Sequence, residues 1–180
     1  PEGIAVWTSR AALDSDGIIL VNRVKPHTDF SGGLGSGLSK MSVVGLGKRE
    51  GAIAFHGAAA RSGHAAVLQS LARVTLSRLP IIAGVAILEG FHHETVRVAV
   101  LRREEIAVQE PVLLAEAARL LPRLPFDDID LLIVDRIGKN ISGTGMDPNV
   151  TGRYVEGYRS SLGPADGSGP AIRRIFVRAL

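Results

Sequence analysis

The sequence predicts an α/β fold, with mixed and parallel sheets and flanking helices. Three observations carry this. Apolar runs of strand length recur between turn residues: DGIILVNRV at 16–24, IIAGVAIL at 81–88 and IDLLIVD at 129–135. A fourth stretch, TVRVAVL at 95–101, alternates as a half-buried strand does. Between the runs lie long segments with apolar residues at helical spacing, the arrangement that builds parallel sheets covered by helices.

The elements follow in chain order. The run from Asp16 to Val24 reads as a buried strand, opened by Asp-Gly and closed by Lys25-Pro26. Pro26 has no backbone N–H and holds Lys25 extended, so the strand stops there. His27 then sits at the strand's C-terminal end, the edge where open α/β sheets bind ligands. From Ala58 to Leu79, Ala65, Leu68, Leu71, Ala72 and Leu76 predict one helix ended by Pro80. The 81–88 and 95–101 strands are joined by EGFHH, a hairpin turn. Glu104 to Leu121 reads as a second helix, closed by PRLP, and 129–134 as a fully buried strand of the parallel kind. A glycine-rich loop spans Arg136 to Arg153; the stretch from Ser160 to Pro170 reads as a surface loop before an IFV strand. The domain boundary is expected near Pro125, giving 1–125 and 126–180.

Composition narrows the function. The chain has 180 residues, 46% hydrophobic and 22% charged, so it can bury a sizeable core. Aromatic residues make up 4%, the formal charge is +3, and Arg102-Arg103 and Arg173-Arg174 are pairs rather than runs. That leaves little for stacking or phosphate tracking, so no nucleic-acid partner is expected. With no cysteine there are no disulfides and no thiolate metal sites. No apolar run reaches membrane-spanning length, so no membrane partner is expected, and the lack of cysteine fits the cytoplasm as the expected location. Pro1 and Leu180 look like cuts in a longer protein.

The chemistry concentrates between Val24 and His56, where His27, Lys40 and His56 share a segment with seven glycines between the two histidines. Gly32, Gly33, Gly35 and Gly37 allow a ligand to touch the backbone. The segment is not a Walker motif, and GLGSGL meets a dinucleotide fingerprint only if its last glycine is forgiven. The residues alone leave two readings open for each side chain. His27 and His56, 29 positions apart, are acid/base or metal groups, or one loop histidine and one at a helix start. Lys40 is a solvated surface charge or, flanked by Gly37, Leu38 and Met41, a partly buried nucleophile. His64 and the His92-His93 pair are assigned no role.

Ser36-Gly37-Leu38-Ser39-Lys40, followed sixteen positions on by His56, resembles the nickel-dependent lactate racemase family. The resemblance is specific over 22–56 and implies parts of a two-domain lactate racemase-like fold. It implies that Lys40, with Ser36 and Gly37, holds a nickel-pincer nucleotide covalently. His56 would complete the nickel's coordination, three pincer donors and one imidazole suiting square-planar Ni(II). His27 resembles the catalytic histidine that handles the substrate hydroxyl proton. The implied reaction inverts a 2-hydroxy acid, lactate or a relative, by hydride transfer to the cofactor, with cofactor maturation proteins as partners. Arg153, in the second glycine-rich loop, is the candidate to grip a substrate carboxylate, against the reading of a solvated arginine. The chain departs from the family in three ways. The His27–Lys40 gap of thirteen is longer, MSVVGLG stands where the racemase has a proline-glycine turn, and the upstream phosphate-binding motif and second catalytic histidine are missing. No activity is expected from this chain alone. A nucleotide- or phosphate-binding module without nickel or turnover is the alternative, and a structural relic of the same fold the third.

Overall fold

The computed structural model describes residues 3–27, 34–143, 145–153 and 169–180. Gly32, Gly33 and most of the loop expected at 160–170 lie outside them. The protein is a mixed α/β structure that divides into two compact units between Leu120 and Leu121.

In the first unit, a short helix α1 (Arg10–Leu13) precedes strand β1 (Ile18–Arg23). The chain then winds through a single helical turn α2 (Leu38–Lys40), a π-helical turn (Met41–Gly45), α3 (Leu46–Ser62) and α4 (His64–Arg78). It returns as β2 (Ile81–Glu89), turns into β3 (Thr95–Arg102) and ends in α5 (Arg103–Arg119). The sheet order is β1-β2-β3, with β1 parallel to β2 (Ile18 beside Ile81, Arg23 beside Ile87) and β2 antiparallel to β3. The parallel pair requires a crossover, which the helices supply; the antiparallel pair needs only the turn at 90–94.

The expected single helix over 58–79 is two. Gly63 stands at φ 81°, a conformation that suits glycine, and its N–H bonds to the Ala59 carbonyl to close α3. α3 also begins far earlier than expected, so His56, expected at a helix start, lies well inside it. Lys48 breaks the backbone of α3 at φ 54°, ψ −145°, a region that a residue with a Cβ enters only under strain. Lys48→Gly is therefore expected to stabilise the protein by about 1 kcal/mol, read as a rise in the urea midpoint.

The helices cover one face of the sheet. On α4, Val67, Leu68, Leu71, Ala72, Thr75 and Leu76 form the buried stripe that a 3.6-residue period requires. Leu20, Leu38, Leu88, Leu101 and Ile106 join sheet and helices in one core, while Phe55, Val43 and Leu68 anchor a second core among the helices. The opposite sheet face is exposed: Ile19 is 61% and Val100 70% accessible, with Val21, Ile82 and Val98 beside them. The strand expected to be buried at 16–24 is buried on one face only.

The second unit is built on β4 (Asp128–Arg136), α6 (Pro148–Thr151) and β5 (Ala171–Ala179). β4 and β5 pair in parallel, Ile129 beside Ile172 and Val134 beside Val177. The fully buried strand expected at 129–134 is corrected here too. Leu131 and Ile133 are exposed, because in a two-stranded sheet only part of each face meets other residues. The loop after β4 is internally bonded, Gly138 N–H to the Gly145 carbonyl at 3.0 Å, and Asp147 caps α6 through the Asn149 N–H at 2.9 Å.

Candidate functional site

The site is built on the backbone just after β1. Lys25 and Ser36 exchange both backbone hydrogen bonds at 2.9 Å, which sets Ser36 beside the strand's C-terminal end. Asn22, on β1, donates its side-chain amide to the Gly37 carbonyl at 3.0 Å. Gly37 is thereby fixed, and α2 starts immediately after it.

α2 presents Lys40 to His27. Their Nζ and Nε2 atoms stand 2.5 Å apart, both side chains half-buried. Such a contact is a hydrogen bond when one of the two nitrogens offers a lone pair to the other's proton. His27 thus engages the lysine itself. Beside them lies a cavity of about 290 Å³ lined by Asn22, Arg23, Lys25, Ser36, Lys40 and Met41, with Val44 and Gly45 at its π-helical wall. Three of these are cations, and no carboxylate is among the described residues lining it. Arg23 is held by Glu89 at 3.0 Å across the β1–β2 pair. An open cleft lined by cations and by no carboxylate among its described residues favours an anionic ligand. The π turn at its wall is a deviation found frequently at functional sites.

His56 is placed differently. It is exposed on α3, its ring 5.1 Å from that of Phe55 and 6.2 Å from that of His64. It is not among the described residues lining the cavity at Lys40. Among the described residues no group of three or more His, Asp or Glu side chains is arranged to hold a metal ion. Arg153 belongs to the second unit, where its guanidinium donates to the Ile172 carbonyl of β5 and its Nε is buried without a hydrogen-bond partner. One arm of Arg153 is therefore committed to backbone. The structure brings together Lys40, His27, Ser36 and Gly37; His56 and Arg153 stand on other elements.

One residue of the site escaped the sequence reading. Glu110, on α5, is 3% exposed, and its carboxylate accepts the Ser39 N–H at 3.0 and 3.2 Å and the Ser39 hydroxyl. Burial pushes its pKa up, against the lowering effect of hydrogen bonds from Ser39 and Leu38. The signal was present in the periodicity. Ile106, Glu110, Leu113, Leu114 and Ala117 form the buried stripe of α5, and a carboxylate inside an apolar stripe calls for partners.

The sign of the pH effect follows. With the folded pKa above the unfolded one, the native state holds more protons in the window between them, so stability falls as pH rises through it. The contribution is complete below the ordinary carboxylate range and lost once pH passes the raised folded value. Unfolding free energy measured from pH 4 to 7 is expected to decline more steeply in the native protein than in Glu110→Gln, which does not titrate. Parallel curves would remove Glu110 as the cause.

No family model matches the chain, and neither a curated protein nor a solved structure is significantly similar to it. No helix among the described residues is long and apolar enough to cross a membrane.

Proposed function

We propose that Lys40 is the cofactor attachment point of a racemase- or epimerase-like protein acting on a 2-hydroxy acid. The observation that carries the reading is the Lys40–His27 contact at the edge of a cationic cavity. An amine is nucleophilic only without its proton, and a neutral imidazole at hydrogen-bond distance is the group to accept it.

The residues fit the organic part of a nickel-pincer nucleotide: an amine for the covalent link, and Arg23 and Lys25 for its anionic groups. Ser36 and Gly37 would flank it, whereas His56, the imidazole the resemblance asks for, stands exposed on α3 and is not among the described residues lining this cavity. When bound, such a group supplies the hydride-accepting centre. The chain's own work is to hold the anionic ligand and to move protons at His27 Nε2. With Lys40 committed to the cofactor, that nitrogen is left to take the proton of a substrate hydroxyl.

The cavity charges also favour a second reading, a nucleotide- or phosphate-binding module without nickel or turnover. Peptide mass spectrometry with nickel counting separates the two, on protein purified from a host proven to load a control racemase. The racemase reading expects a mass increment on the Lys40 peptide together with bound nickel, both lost in Lys40→Ala. An unmodified Lys40 without nickel would sink it and leave the binding module.

A further inference from the structure

Ser39 and Ser42 stand on either side of Lys40, and both are anchored in a buried polar chain. Glu110 accepts from the N–H and hydroxyl of Ser39. The Ser39 carbonyl accepts the Ser42 hydroxyl at 2.8 Å, and Ser42 meets Thr75 Oγ1, also at 2.8 Å. Thr75 Oγ1 also lies 3.1 Å from the Ala72 carbonyl, an alternative acceptor for the one proton it otherwise gives to Ser42. All four residues are buried, and they tie α5, α2, the π turn and α4 together. Gly37 belongs to the same construction, because a Cβ there would stand 1.9 Å from Glu110 Oε1.

We propose that Glu110 is the positioning residue of the Lys40 site, acting through Ser39 to set where the lysine amine stands relative to His27. A buried carboxylate bonded to backbone N–H and hydroxyl groups is costly to assemble, and packing alone would be served by an apolar side chain. What the carboxylate adds is direction. Its two oxygens accept from the residue before Lys40, while the Ser42–Thr75 bond holds the residue two beyond it. The lysine backbone is clamped from both sides, and the side chain leaves in one direction, into the cavity. Buried networks of this kind restrict a segment to a single setting when every member is satisfied.

The inference rests on Lys40 being the functional lysine and needs neither nickel nor turnover. It is tested by competitive acetylation of the intact chain with acetic anhydride across a pH series. Lys40 is read by peptide mass spectrometry against Lys48 and Lys139 in the same digest. Glu110→Gln is expected to change the Lys40 profile by about threefold or more, within the range one hydrogen bond is worth, while the two reference lysines keep theirs. A Lys40 profile that coincides with the native one in a cooperatively folded Glu110→Gln protein would overturn the proposal. Should that variant not fold, Ser39→Ala removes the hydroxyl bond alone and is judged by the same criterion. Since acetylation requires no cofactor, failure of the nickel reading leaves this result standing, and the reverse holds as well.

Discussion

Gly37→Ala is expected to destabilise the protein by about 2–4 kcal/mol, combining overpacking with loss of buried hydrogen bonds. The reason is space and not backbone freedom. Gly37 sits at φ 175°, extended backbone that any residue adopts. A Cβ there would lie 1.9 Å from Glu110 Oε1 and 3.0 Å from its Cδ. The carboxylate cannot swing aside without releasing the buried Ser39 N–H and hydroxyl. Urea unfolding with two probes checks this. A loss below about 0.5 kcal/mol, the size of an ordinary surface change, would mean that the carboxylate is not seated against Gly37. The same substitution is expected to weaken Lys40 adduct formation, because α2 begins at the displaced residue. Glycine at this position was singled out in the sequence for close approach by a ligand; in the structure the approaching group is the protein's own glutamate.

The second large effect is at Phe55. It is fully buried and packs with Val43, Ala58, Val67 and Leu68 in the core between the helices. Phe55→Ala is expected to cost about 3–5 kcal/mol, the lost transfer free energy plus the cavity that neighbours on two helices cannot close. Phe55→Leu should recover most of this, since it restores apolar volume at the site. Denaturant midpoints of the two variants give the test: similar losses for Ala and Leu would show that ring shape, and not burial, is what the core requires. Phe55 also seats the His56 ring at 5.1 Å, so the truncation is expected to broaden the His56 imidazole resonances while leaving those of His92 sharp.

Much of the architecture was legible in the residues. The runs expected at 16–24, 81–88, 95–101 and 129–134 each hold a strand, and the helix expected at 104–121 is Arg103–Arg119, because apolar length and alternation report directly on local geometry. The hairpin at 90–94 and the end of β1 before Pro26 follow from turn chemistry. The start of α3 did not. LGKREGAIAF carries glycines at 47 and 51 that lower helix propensity, and it winds as a helix since those glycines lie against Trp7 and the Val43 carbonyl. One-sided burial was equally hidden: an apolar run is the same whether one face or two is covered.

For the site, the residue types between Val24 and His56 determined by themselves that an amine, imidazoles and open backbone would lie close in sequence. Only the tertiary structure decided which of them meet. It set Lys40 on His27 through a turn held by Asn22, Lys25 and Glu110, the last of them 70 positions beyond the lysine, and it left His56 on another helix. The physical reason is range. Helix and strand periods are fixed by bonds a few residues apart, whereas the direction of a side chain is set by whatever hydrogen-bond partners and core contacts folding brings to it from elsewhere in the chain.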